Sequence, residues 1–111
     1  MIRVNVAELY SKTPGGRYKN DGDFSGEDFR IKYLSPMYKE AVANGDKLEV
    51  NLDGGYGYGS SFLEESFGGL VRELGYIDPN SIIVISDEEP QLKLDVKKYI
   101  DDANRLRRRN R

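Results

Sequence analysis

Residues 48–70 read LEVNLDGGYGYGSSFLEESFGGL, which combines a strand pattern, a glycine-rich turn and the start of a helix pattern. Apolar and polar side chains alternate from Leu48 to Leu52, the period of a half-buried strand. Four glycines follow within six residues, and glycine lets another backbone or a ligand approach closely. Ser61 and Glu64 have the spacing of a capping box. The stretch therefore predicts a serine hydroxyl at a helix N-terminus, where free N–H groups stabilise negative charge.

The composition restricts the classes of protein and of chemistry. A chain of 111 residues, 38% hydrophobic and 32% charged, is typical of one folded domain. Its net charge of −2 argues against nucleic-acid binding by the whole domain. The absence of cysteine and histidine excludes disulfides, zinc-finger ligation and histidine-based triads. The N-terminus has a strand pattern rather than that of a signal peptide, and no apolar run is long enough to span a membrane, so we expect a cytoplasmic protein.

Strand and helix patterns alternate along the chain. The strand patterns cover residues 2–9, 48–52 and 81–86. The helix patterns follow Ser25, Ser61 and Pro90. A further short strand fits around residues 17–19, inside a polar loop. Strands joined by helices predict an α/β fold with a small, mainly parallel (mixed) sheet of about four strands and three or four helices.

Three local features refine this prediction. The run at residues 81–86 is the most hydrophobic and is β-branched, which favours a central strand buried on both faces. Pro36 either kinks the first long helix or opens a new helix that Ser35 caps. Gly68 and Gly69 each cost about 1 kcal/mol inside a helix, so they indicate close packing against the sheet or a partner.

The C-terminal residues are rich in arginine, and their composition differs from that of the preceding chain. We assign residues 1–104 to a single domain and residues 105–111 to an Arg-rich tail. The tail is either a solvated helix end, since cations there complement the helix dipole, or a contact with an acidic partner or nucleic acid.

The glycine turn and the neighbouring acids allow two ligand hypotheses. The glycine spacing is neither G-x-G-x-x-G nor a P-loop, so only a weak nucleotide or phosphate contact remains as an alternative. Four carboxylates at predicted strand ends could bind Mg²⁺, but their spacing is not diagnostic. They are Asp53, Asp87, Glu88 and Glu89. We assign no metal, no cofactor and no catalytic residue.

The serine pair has a structural and a regulatory interpretation. Serine before a helix is usually a cap. A serine without a histidine or an adjacent lysine base is a poor nucleophile, so we do not expect an enzyme. Phosphorylation needs no such base in the substrate, and a phosphate at Ser61 would add nearly two negative charges to the surface.

The segments VNLD (50–53) and GSSFL (59–63) resemble the phosphorylation segment of STAS domains, the sulfate-transporter and anti-sigma-factor-antagonist family. In the bacterial antagonists a Leu-Asn-Leu strand leads to Asp-Ser-Ser-Gly-Leu at a helix start. The second serine is the regulatory phosphosite in those proteins, and it corresponds to Ser61. Gly59 stands where the antagonists have the acid, and Phe62 stands where they have the glycine.

A wider resemblance covers roughly residues 14–87. The segments PGGRY (14–18), SGE (25–27) and GYGSSFLEESFGGL (57–70) are similar to bacterial STAS-like domains of unassigned function. Such proteins are often encoded beside a histidine-kinase-type ATPase, which implies a GHKL-type ATPase or serine kinase as partner.

These observations lead to one main hypothesis and one alternative. The main hypothesis is a non-enzymatic STAS-like signalling or interaction domain, in which Ser61, or else Ser60, is phosphorylated. The partner surface would contain Asp53, Tyr56, Gly57, Tyr58, Gly59 and Phe62. Tyr56 and Tyr58 are either exposed anchors or lids over the sheet end. The alternative is a nucleotide- or phosphate-binding sensor or weak Mg-dependent hydrolase at the glycine loop.

Overall fold

The structure is a computed structural model that describes residues 1–109, without the side chain of Arg109. Arg111 of the predicted tail lies outside the described residues. Strands β1 (Ile2–Asn5), β2 (Leu48–Asn51) and β3 (Ile82–Ile85) form a parallel sheet in the order β1-β2-β3. The register pairs Ile2 with Leu48 and Leu48 with Ile82.

Four helices accompany the sheet in the described part of the chain. They are α1 (Val6–Leu9), α2 (residues 26–43), α3 (residues 60–74) and α4 (Gln91–Arg109). Helices α2 and α3 each contain a five-residue π-helical segment, at Arg30–Leu34 and Glu64–Gly68. Two short 3₁₀ turns, Lys19–Asp21 and Pro79–Ser81, complete the elements.

The hydrophobic core lies on one face of the sheet. Val4, Val50 and Val84 share one register row, and all three are buried among side chains of α2, α3 and α4. Successive right-handed crossovers in one direction place their helices on the same face of a parallel sheet, which explains this layering. The alternate residues on the opposite face are half-buried or exposed, as at Glu49 and Ile83.

The predicted fourth strand does not form within residues 1–109, and the sheet is wholly parallel rather than mixed. The segment near residues 17–19 instead leads into the Lys19–Asp21 turn. The Asp21 carboxylate accepts the backbone N–H groups of Arg17 and Tyr18 there, at 3.2 and 2.9 Å. A side chain thus satisfies amides that a strand partner would otherwise have bonded.

The first strand is shorter than predicted because Asn5 ends it. The Asn5 side chain accepts the backbone N–H of Glu8 at 3.0 Å, which caps α1. Residues 6–9, predicted to continue the strand, therefore form a helical turn. Val6 and Ala7 are both buried, which a strand with one solvent face would not allow.

Helix α2 begins as the sequence indicates and continues through Pro36. The Ser25 hydroxyl caps it by accepting the Asp28 N–H at 3.1 Å. Ser35 has helical backbone angles and donates its hydroxyl to the Glu73 carboxylate at 2.6 Å, so the hypothesis of a new helix capped by Ser35 is wrong. The π-helical segment ends at Leu34, two residues before Pro36, whose missing N–H interrupts the ordinary bonding pattern.

The strand at residues 82–85 is an edge strand, and the prediction of a central strand is wrong. Strand β2 is central instead. Ile82 and Val84 are buried against the helices, whereas Ile83 and Ile85 are only half-buried. A hydrophobic run predicts that its side chains are buried. It does not predict whether the strand has one neighbouring strand or two.

Candidate functional site

The glycine-rich loop connects β2 to α3 at the carboxyl end of the sheet. Gly54 and Gly57 have φ values of 95° and 141°, which L side chains rarely adopt. The backbone N–H of Tyr56 donates to the carbonyl of Lys12 at 2.8 Å. The loop is therefore fastened to the segment that follows α1.

Asp53 fastens this loop to the connection between β3 and α4. Its carboxylate accepts the backbone N–H groups of Asp87 and Glu88, at 3.2 and 3.0 Å. The Glu88 carboxylate accepts the N–H of Gly54 at 2.7 Å, and the Asp53 carbonyl accepts the Asn5 side-chain amide at 3.2 Å. Two of the four predicted carboxylate ligands are thus engaged by backbone amides. Within residues 1–109, no group of three or more acidic side chains is arranged to hold a metal ion.

The two loop tyrosines differ in exposure. Tyr56 is 83% exposed. Tyr58 is half-buried, with its ring centroid 6.0 Å from that of Phe62, and its hydroxyl has no hydrogen-bond partner within the described residues. Burial first, and then the nearby negative charges of Asp53 and Glu88, raise the pKa of Tyr58 to about 12. Tyr56 thus has the exposure that an anchor requires, whereas Tyr58 packs against the core.

The serine pair lies at the first turn of α3. Ser60 and Ser61 are both exposed. Gly59, with extended backbone angles of −73° and 149°, is the N-cap, and no side chain caps the helix. The predicted capping box is therefore wrong. Glu64 binds arginines instead, because Arg17 and Arg72 offer it charge-assisted hydrogen bonds.

Phe62 lies in the core rather than on the predicted partner surface. It is 1% exposed and contacts the rings of Phe29 and Tyr10, with centroid distances of 5.8 and 6.4 Å. Its side chain joins α3 to α2 and to the end of α1. A large apolar residue directly after two exposed serines turns onto the buried face of the helix.

A network of arginines and glutamates lies beside this site, and the sequence analysis did not predict it. Arg30 of α2 contacts Glu65 of α3 at 3.1 Å and also pairs with Glu73. Arg17, in the polar loop, pairs with Glu64. The adjacent hydrogen bonds from Arg72, opposed by burial and aided by Arg17, hold the pKa of the Glu64 carboxyl below its usual range.

The glycine pair of α3 makes room for this network. A Cβ atom at Gly68 would lie 2.3 Å from a Glu64 carboxylate oxygen, and one at Gly69 would lie 2.7 Å from the Nε of Arg30. The predicted close approach is thus to ion-paired side chains. The Gly68-Gly69 pair predicted a close approach to α3, but no local sequence pattern identifies Arg30 as the residue that approaches.

The Arg-rich end of the chain belongs to α4 as far as Arg109. Arg105 pairs with Asp102 in the preceding turn, while Arg107 and Arg108 are exposed. The assigned boundary at residue 104 falls inside this helix.

No helix in residues 1–109 has the length and apolar character needed to cross a bilayer.

Comparison with known proteins identifies a family. The model of the family described as "STAS-like domain of unknown function (DUF4325)" matches residues 25–92, more than half of the chain. The match runs from the Ser25 cap of α2 through the glycine loop to the start of α4. No curated protein and no solved structure matches the chain. The chain belongs to the family of STAS-like domains of unknown function.

Proposed function

We propose that this chain is a non-enzymatic signalling domain that binds a protein partner through the serine-loop surface, defined as residues 56–61. Phosphorylation of Ser61, or else Ser60, switches this interaction. One observation carries the proposal: of the eight serines in the sequence, Ser60 and Ser61 are the two that are exposed. A kinase needs an accessible hydroxyl, and both hydroxyls follow the exposed ring of Tyr56 by only a few residues.

The position gives a phosphate a strong effect on binding. At the first turn of α3, free backbone N–H groups and the helix dipole stabilise added negative charge. Asp53 and Glu88 already make the neighbouring loops negative, so a phosphate would make this surface strongly anionic. A partner that contacts Tyr56 would respond to this change.

The expected kinase is a GHKL-type ATPase, as the STAS resemblance implies. Incubation of the chain with such an ATPase from the same organism and Mg-ATP, followed by intact-mass measurement, tests the switch. We expect one phosphate on the wild type and on Thr13→Ala, a control at another exposed hydroxyl, and none on Ser61→Ala. Loss only in Ser60→Ala would move the switch by one residue. A folded wild type that gains no phosphate would refute phosphorylation by this kinase class.

Partner binding can be tested separately from phosphorylation. Tyr56→Ala should weaken binding of the same ATPase, measured by calorimetry without nucleotide, because an exposed aromatic ring is a strong interface anchor. Tyr76→Ala removes an exposed ring elsewhere on the molecule and is the matched control. Equal affinities for the two variants would contradict the assignment of the serine-loop surface.

The ligand-sensor alternative has less support. An anionic nucleotide at the glycine loop would meet the carboxylates of Asp53 and Glu88, which already accept backbone N–H groups. A thermal-shift series with ATP, ADP and Mg²⁺ decides between the hypotheses, since a specific ligand stabilises the folded state saturably. Such stabilisation would favour the sensor.

A further inference from the structure

The outer edge of β3 has no strand partner within residues 1–109. Strand β3 pairs with β2 alone. The carbonyl of Ile85 accepts the N–H of Leu52 at 2.8 Å, so the backbone groups of Ile85 point towards β2. Because these groups alternate in direction along a strand, those of Ile82 and Val84 point outward. Such an edge is a template for a further strand.

A groove of about 450 Å³ follows this edge, between β3 and α4. Its apolar lining consists of Pro79, β3, and Leu94, Val96 and Ile100 of α4. Leu94 is 62% exposed, although it belongs to this apolar lining. Residues 81–86 contain neither proline nor a charged residue, the features that natural edge strands use to prevent pairing.

The charged residues that line the groove have one sign. Every charged lining residue is a lysine: Lys47, Lys93 and Lys97. Lys97 pairs with Asp101 at 2.8 Å, so the positive charge available to an occupant of the groove comes from Lys47 and Lys93. Strand β3 is followed, after Ser86, by three exposed acids, Asp87, Glu88 and Glu89. The chain therefore carries both the basic groove and an apolar strand with an acidic end that complements it.

We propose that the groove is occupied by β3 of a second copy, paired antiparallel about a twofold axis near Val84. The result is a dimer with one continuous six-stranded sheet. In this arrangement the carboxyl end of one β3 lies beside the amino end of the other. Lys47 precedes Leu48, the register partner of Ile82, and so lies at that amino end. Asp87 of each copy then approaches Lys47 of the other, which makes the contact self-complementary.

This dimer surface is separate from the serine-loop surface. Residues 56–61 lie in the connection from β2 to α3, and none of them lines the groove. Dimerisation can therefore be present or absent whether or not Ser61 is phosphorylated, and the two proposals can fail independently.

Sedimentation equilibrium of the full chain over a range of concentrations tests the dimer. We expect a reversible monomer–dimer equilibrium for the wild type. Ile83→Lys places a charge on the edge strand beside Glu49 and should raise the dimer dissociation constant at least about tenfold. Ile31→Lys, at an isoleucine that is 44% exposed on α2, is the matched control and should leave it unchanged.

A charge exchange tests the identity of the occupant. Lys47→Glu should weaken the dimer about tenfold by repelling Asp87, and the double variant Lys47→Glu/Asp87→Lys should restore it. Circular dichroism confirms folding of each variant. A wild type that stays monomeric at every concentration would overturn the proposal and leave the groove to another protein. A dimer insensitive to both Ile83→Lys and Lys47→Glu would also overturn it, because such a dimer uses another surface.

Discussion

Asp53 and Glu88 bind each other's loops reciprocally. The Asp53 carboxylate accepts the backbone N–H of Glu88 at 3.0 Å, and the Glu88 carboxylate accepts the N–H of Gly54, the residue after Asp53, at 2.7 Å. Hydrogen bonds to ionised acceptors are stronger than those between neutral groups. The glycine loop is thus held against the β3–α4 connection although its glycines give it little conformational preference of its own.

Removal of the Asp53 carboxylate should loosen this attachment. Asp53→Ala leaves the N–H groups of Asp87 and Glu88 to solvent, and we expect the free energy of unfolding in urea to fall by about 1–2 kcal/mol. Hydrogen exchange at these two amides should accelerate. Asp23→Ala, at an exposed aspartate in the polar loop, is the control. Equal stability of the two variants would contradict the anchoring role.

Gly26 permits the close approach of α2 and α3. A Cβ atom there would lie 2.5 Å from the backbone carbonyl oxygen of Phe62, which cannot move without displacing the helix. Gly26→Ala should therefore lower the free energy of unfolding by about 1–3 kcal/mol. Gly15→Ala has no atom within 4 Å of its added Cβ and should be close to neutral. Chemical denaturation of both variants measures the difference.

The hydroxyls of Tyr10 and Tyr58 should contribute oppositely to stability. Tyr10 donates to the Asp28 carboxylate at 2.8 Å, so Tyr10→Phe should cost about 1–2 kcal/mol. The Tyr58 hydroxyl is buried without a partner in the described residues. Tyr58→Phe removes an unsatisfied polar group and should leave the melting temperature unchanged or higher. A clear loss of stability in Tyr58→Phe would reveal a partner for this hydroxyl.

Protonation of Glu64 should make the protein less stable in acid than at neutral pH. Its hydrogen bonds with Arg72 and Arg17 lower its folded-state pKa below the ordinary value of 4.5. A group with a lowered folded pKa stabilises fully above its unfolded pKa, and loses this contribution as the pH falls through the folded pKa. The free energy of unfolding should therefore decline as the pH falls below the ordinary value of 4.5 and on through the lowered folded-state pKa.

Glu64→Gln isolates this contribution. The variant should be less stable than the wild type at neutral pH, and the difference should shrink as the pH is lowered. Glu40→Gln changes an exposed glutamate on α2 and should run parallel to the wild type. A pH-independent difference for Glu64→Gln would assign the effect to packing rather than ionisation.

Sequence periodicity predicted the parts of the fold that depend on neighbouring residues. Alternating apolar residues located β2, and Ser25 marked the start of α2. Gly75 ends α3 with a φ of 94°, a conformation that glycine commonly adopts after the last residue of a helix. Alternation of these elements predicted parallel strands, and the motifs around the serine pair predicted the STAS-like family.

Contacts between distant residues decided the rest. Glu64 has the spacing of a capping residue, but Arg17, 47 positions away, pairs with it instead. Tyr56 and Phe62 are both aromatic and close in sequence, yet one is 83% exposed and the other 1%. The direction of the helix that begins after Gly59 places Phe62 on the buried face. No local sequence rule predicts how deeply the two loop tyrosines are buried.

The sequence by itself determined the position of β2, the three longer helices and the Ser25 cap of α2, because backbone hydrogen bonding and apolar periodicity act over a few residues. Only the tertiary structure decided that β3 lies at the sheet edge and that the glutamates of α3 face arginines. These outcomes depend on which surfaces meet after the chain folds back on itself. That choice is made by packing of all the elements together, which no single stretch encodes.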